Sequence, residues 1–250
     1  MKKLVTLLCC VVLAASAASA SAAGVNLAWS RCYGECSGTV NRTFACNTNV
    51  GSHVAVGSFV APPGVTALSG NEVVIDLQSS SATLPAWWGL RGTGQCRGTG
   101  TPALSVNFLA NASDGVCVDE FAGGAAGGIG AYTVGYAGNP ARARLTMAIA
   151  TASPGPVDAD VEYFAFNMVI NNTRTVGTGA CAGCLTPVSM VLNSILLTQP
   201  FGVGNFMLSQ GNAPSSSYIT WQGGRVYESG CLADTPTKNS TWGSVKSLYR

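Results

Sequence analysis

The tetrapeptide CAGC, from Cys181 to Cys184, has the spacing of a redox dithiol, of half a zinc site, or of two anchors for structural bridges. A redox C-x-x-C opens a helix after a strand, so that the helix N-terminus lowers the pKa of one thiol. Here Gly177 and Gly179 precede the motif, Pro187 follows it, and no βαβ pattern surrounds it. Zinc would need a second pair, for which Cys32 and Cys36 have the only usable spacing. Structural disulfides are the favoured reading, because the chain carries the marks of export.

Hydrolytic chemistry has less to work with. His53 is the single histidine, it starts an expected strand, and no G-x-S-x-G supplies a nucleophile elbow. Glycosidases need two opposed carboxylates. Glu72 with Asp76, or Asp119 with Glu120, are the pairs that can be named, and nothing singles out either. Asp158, Asp160 and Glu162 recur at every second position, so an extended backbone sets three oxygen ligands on one side, a weak Ca²⁺ candidate. A solvated strand entry after Pro154 and Pro156 is the plainer reading, since the EF-hand spacing and its glycine are missing. No cofactor is expected.

The best binding candidate is aromatic. In TLPAWWGL, neighbours on an extended strand point to opposite faces, so Trp87 and Trp88 are not expected to share one core layer. An exposed indole is a platform for a sugar ring or an aromatic-rich partner. The favoured alternative is burial, with one indole in the core and the other covered by a loop.

The elements that must position these residues follow from the rest of the chain. The N-terminus reads MKKLVTLLCCVVLAASAASASAAG, with two lysines, an apolar stretch and A-x-A-like sites, so residues 1–23 are expected to be an export signal peptide. The protein is expected to be secreted or periplasmic. Cys9 and Cys10 go with the leader, leaving Cys32, Cys36, Cys46, Cys96, Cys117, Cys181, Cys184 and Cys231, an even count expected to form four disulfides. Among local pairings, Cys96 with Cys117 is the first choice and Cys46 with Cys32 or Cys36 the second.

Without Lys2 and Lys3, 11 basic residues face 11 acidic ones. The arginines are scattered, with only Arg142 and Arg144 close together, so a nucleic-acid partner is not expected. No later apolar run reaches the ~18 residues of a membrane span.

Period-two alternation runs through GVNLAWS, HVAVGSFV, NEVVIDLQ, ALSVNFL, RARLTMAIA, EYFAFNMVI, VSMVLNSILLT, NFMLS and SYITWQ. In EYFAFNMVI, Phe164, Phe166, Met168 and Ile170 are expected on one face. APPG, SSSA, GNP, SPGP and QGNAPSSS read as turns, and the Gly-rich segment 121–132 as a loop or mobile crossover. GTGQC at Gly92 and GTGAC at Gly177 echo one another without establishing a duplication. The end, NSTWGSVKSLYR, is the one helix candidate, capped by Ser240 or Thr241 with Trp242, Val245 and Tyr249 on one stripe. The expected fold is therefore all-β: one antiparallel sandwich or jelly roll over residues 24–250, with a short C-terminal helix.

The stretches GVNLAWSRC, NRTFACNTN, APPGVTALSGNEVVIDL, LPAWW, the CR at Cys96, EYFAFNMVI, CAGC, TWQGG and STWGSVKSLYR resemble a group of exported bacterial proteins ending in a TWGxxKxLYR-like segment. That resemblance implies export and a fold. The strand pattern around GVTALSGNEVVIDL also resembles cohesin-type and carbohydrate-binding jelly-roll modules. The function expected is non-catalytic binding of an extracellular polysaccharide or a cell-surface protein. The alternatives are a glycan-active hydrolase with unidentified carboxylates, or a structural subunit of a surface layer or filament.

Overall fold

A computed structural model describes residues 23–33, 38–98, 100, 102–110, 117–159, 161–209, 211 and 216–223. Cys36, Cys231, Asp160 and the expected C-terminal helix lie outside the described residues. Every strand read from alternation is present: β1 (Gly24–Trp29), β3 (Ser52–Val60), β4 (Ala67–Ser79), β5 (Leu104–Asn107), β7 (Arg142–Pro156), β8 (Glu162–Asn171), β9 (Val188–Thr198), β10 (Phe206–Leu208) and β11 (Tyr218–Trp221). Two were not anticipated, the two-residue β2 (Asn41–Arg42) and β6 (Ala125–Val134).

The strands form two sheets packed face to face. One has the order β1-β3-β8-β5. The other has the order β2-β11-β9-β4-β7-β6, with β10 also paired to β9. All these pairings are antiparallel except the short β2–β11 contact. The core between the sheets draws Leu27, Phe59, Phe166, Met168 and Ile170 from the first, and Val73, Ile75, Leu77, Leu145, Met190 and Ile195 from the second. This is a β-sandwich in which each strand gives its inward residues at period two.

Two bulges break that period. In β8, Phe166 pairs with Gly57 and Phe164 with Ser58, leaving Ala165 unpaired. The extra residue moves Phe164 to the outer face, beside Cys32 and Val56, so it does not share a face with Phe166 as expected. In β9 the slip falls at Asn193, between Leu192 opposite Ile75 and Ser194 opposite Val74. Leu192 and Ile195 can then both point inward.

The Gly-rich segment also corrects the reading. Residues 125–134 are not a loop but the edge strand β6. A Cβ on Gly127 would overlap the Ala148 carbonyl of β7, so here glycine permits close backbone approach within a ladder. SPGP likewise ends β7 instead of forming a turn.

Candidate functional site

Where β9 begins, the sandwich is closed by indoles. Pro85 starts a single 3-10 turn, Ala86–Trp88, closed by the Trp88 N–H donating to the Pro85 carbonyl at 2.9 Å. At three residues per turn, successive side chains need not oppose one another, so both indoles enter the same core. Trp87 and Trp88 are each 0 % exposed. The expectation that one of them is a sugar platform is corrected: neither offers a face to solvent. Their rings lie 4.9 and 5.5 Å from that of Trp221, which lies 4.2 Å from Phe44 at a tilt of 30°. Part of the cover comes from the Gly-rich segment, because the Tyr132 hydroxyl of β6 donates to the Trp88 carbonyl at 2.7 Å. Burial pushes that phenol well above its ordinary pKa.

Arg97 lies within this cluster, 1 % exposed, with its guanidinium 3.6 Å from the centroid of the Trp87 ring. Among the described residues it has no carboxylate partner; it donates to the carbonyls of Thr173, Trp87 and Asn171. Desolvation lowers its pKa to about 10, which leaves it charged at neutral pH. His53 is structural here. Its ring is 4.1 Å from that of Phe44 and its Nε2 pairs with Asn172 at 3.1 Å, while burial lowers its pKa against the opposing pull of that bond.

CAGC anchors two bridges at this end. Cys181 is bonded to Cys96 and Cys184 to Cys46, and a third bridge joins Cys32 to Cys117 on the outer face of the four-stranded sheet. The expected pairings of Cys96 with Cys117 and of Cys46 with Cys32 or Cys36 are corrected: proximity in sequence misled, because the bonded partners come together through strand crossovers. The GTGQC and GTGAC segments meet at Cys96–Cys181. Each makes the same turn, with Gln95 N–H donating to Gly92 and Ala180 N–H to Gly177.

The carboxylates do not assemble. Asp76 is bound by Arg144 through two bonds of 2.6 and 2.7 Å; burial alone would raise its pKa, but Arg144 holds it below the usual value. Asp119 caps its own turn through the N–H groups of Phe121 and Gly123. Glu162 accepts from Asn26 and Ser58, and Asp158 is exposed. Among the described residues no group of His, Cys, Asp and Glu is arranged to hold a metal.

At the opposite end, β9 turns into β10 through QPFGVGN, and four large apolar side chains stand in water, Phe201 at 108 % and Val203 at 54 % exposure in the loop, and Phe206 at 41 % and Met207 at 53 % on β10. The turn that carries them is ordered. Val203 N–H donates to the Pro200 carbonyl, with Gly202 in the third position at φ 90°, the geometry that favours glycine. Gln199 spans the loop, donating from Nε2 to the Gly204 carbonyl at 2.7 Å and accepting from the Thr66 N–H at 3.2 Å. Asn205 Oδ1 accepts from the Gln199 N–H. The sequence reading missed this tip; its signal was apolar residues at 201 and 203 inside a Pro/Gly turn, where polar residues are the rule.

No family model matches the chain. No curated protein matches it either. Among solved structures, a cohesin module from a family 33 glycoside hydrolase of Clostridium perfringens aligns over 80 % of this chain and 98 % of that one, at 7 % identity and a TM-score of 0.35. A likeness that loose supports no assignment.

Proposed function

We propose that this chain is an exported, disulfide-braced β-sandwich that works by binding without catalysis, and that the tip carrying Phe201, Val203, Phe206 and Met207 is its contact surface for a protein partner. The observation that carries this is the ordered turn. Exposed apolar area has a solvation cost, and a loop held by its own hydrogen bonds cannot fold that area away. Because the tip is already ordered, little further entropy is lost when a partner covers it. Aromatic side chains in a rigid frame are the usual anchors of protein interfaces. The glycan reading loses its main support with the burial of Trp87 and Trp88.

The reading is tested by placing a photoreactive phenylalanine analogue at position 201 and irradiating the oxidised chain with the envelope fraction of the source organism. A discrete protein adduct at 201, absent with the same probe at exposed Ser105 of β5, is the expected result. Equal labelling at both positions, or an adduct that glycan-degrading enzymes remove, would contradict it.

A further inference from the structure

We propose that the partner is a second copy of this chain: the Phe201 tip of one molecule enters a groove beside CAGC on the next, building an open head-to-tail row. This rests on the reading of the tip as a contact surface and adds what it contacts.

The groove is about 350 Å³ and is lined by Cys46, Thr175, Ala180, Ala182 and Leu185 among others. Its walls are fixed by Cys46–Cys184 and Cys96–Cys181, so it is concave before anything binds. Leu185 is 73 % exposed on its lining. Val50, 80 % exposed, stands nearby, next to the Asn49 side chain that accepts from the N–H groups of Thr175 and Val176. A convex apolar knuckle and a concave apolar groove are thus carried by one chain.

Charge is divided along the same axis. Toward the groove lie exposed Arg42, opposite Trp221 at the end of β11, exposed Arg142 where β7 begins, and exposed Arg174, bonded to the Cys96 carbonyl. Toward the tip lie Glu72, Asp119, Asp158 and Glu162, with Asp158 and Glu72 exposed, while the one described acid toward the groove, Asp76, is neutralised by Arg144. An acidic rim around an apolar knob complements a basic rim around an apolar groove.

The two surfaces cannot meet within one molecule. Val188 and Thr198 end the same strand, and its eleven residues put them roughly 35 Å apart. Because knob and groove are different surfaces, their contact is heterologous and propagates instead of closing on a two-fold axis. This places the chain with the surface-layer or filament subunits.

The test is sedimentation velocity on the mature oxidised chain over a concentration series, with two exposed-site variants, Phe201→Asp and Leu185→Asp. The wild type is expected to form larger species as concentration rises, less so at high salt. Each variant alone is expected to remain monomeric, and their equimolar mixture to form dimers and nothing larger, because each brings one intact surface. A wild type that stays monomeric, variants that assemble like it, or a mixture that stays monomeric overturns the proposal. If the wild type is monomeric while position 201 still labels a different envelope protein, self-assembly falls and the tip reading stands. If position 201 labels nothing, both fall. Retained melting temperatures in both variants separate lost contact from lost folding.

Discussion

At the groove end, Trp29, Trp87, Trp88 and Trp221 are all within 1 % of complete burial; at the tip end, Phe201 is as exposed as a side chain can be. The difference is not hydrophobicity but what each backbone allows the polar atoms to do. Trp29, Trp87 and Trp221 each donate their indole N–H, to the Thr220 carbonyl, the Thr175 hydroxyl and the Cys184 carbonyl, so burial leaves those donors satisfied. Two disulfides then hold the acceptors in place. At the tip, the side chains of Gln199 and Asn205 satisfy the turn's own backbone and leave the apolar groups outside. Three of the four buried indoles sit where an acceptor meets the N–H, and Phe201 sits outside where the turn is closed on itself.

That contrast can be broken most severely at Trp221. Replacing it with alanine removes the ring that Phe44, Trp87 and Trp88 share, and is expected to cost about 3–5 kcal/mol in denaturant unfolding of the oxidised chain. Arg97→Lys comes next. A lysine keeps the charge but cannot satisfy three carbonyls as a planar fork or stack on Trp87, and a loss of about 2–3 kcal/mol is expected. Wild-type stability in Arg97→Lys would mean the buried guanidinium braces nothing.

The two adjacent indoles sharpen the comparison further. Trp87→Phe gives up the bond to Thr175 and part of the Arg97 stack, at about 1–2 kcal/mol. Trp88 Nε1 has no hydrogen-bond partner among the described residues, so Trp88→Phe is expected to cost less. Equal losses would show that volume alone, not polar satisfaction, sets the energetics there.

Glu120 is the tip end's counterpart to Arg97, and it is left unsatisfied. Both its carboxylate oxygens are shielded from solvent without a donor among the described residues, packed against Gly155 of β7. Desolvation, aided by the charge of Asp119, raises its pKa to about 7 from 4.5. A carboxyl that ionises later in the folded chain than in the unfolded one favours folding fully below pH 4.5, and that contribution is lost as pH rises through about 7. The melting temperature is therefore expected to fall between about pH 5 and pH 8 by an amount that Glu120→Gln removes. An unchanged pH profile in the variant would place the carboxyl in contact with water.

The smallest expected change is at the tip itself. Phe201→Ala with Phe206→Ala removes exposed side chains only and is expected to shift stability by no more than about 0.5 kcal/mol.

How much of this was legible in the sequence divides along physical lines. Alternation located nine strands because their inward positions carry the larger apolar side chains, even in β1 and β3, where the outer face is covered too, and the step from Leu192 to Ile195 already encoded the bulge at Asn193. β6 escaped because its glycines and alanines carry little apolar contrast: backbone approach to β7, not side-chain burial, selects them. The Trp87–Trp88 pair was misread by assuming an extended backbone where Pro85 starts a 3-10 turn. Disulfide partners were hidden because Cys46 and Cys184 become neighbours only once β2, β11 and β9 are in register. Even so, NRTFACNTN, LPAWW, the CR at Cys96, CAGC and TWQGG, scattered along the chain, converge on one end of the fold. The tip was missed because exposure of an apolar residue is a property of the folded turn.

Co-sedimentation of the Phe201→Ala/Phe206→Ala double variant with the source organism's envelope, beside the wild type and at equal folded concentration, tests the binding surface most directly. The wild type is expected in the pellet and the double variant in the supernatant, with both melting at temperatures within about 2 °C of each other. Equal retention of the two proteins would contradict the assignment of the tip as the contact surface.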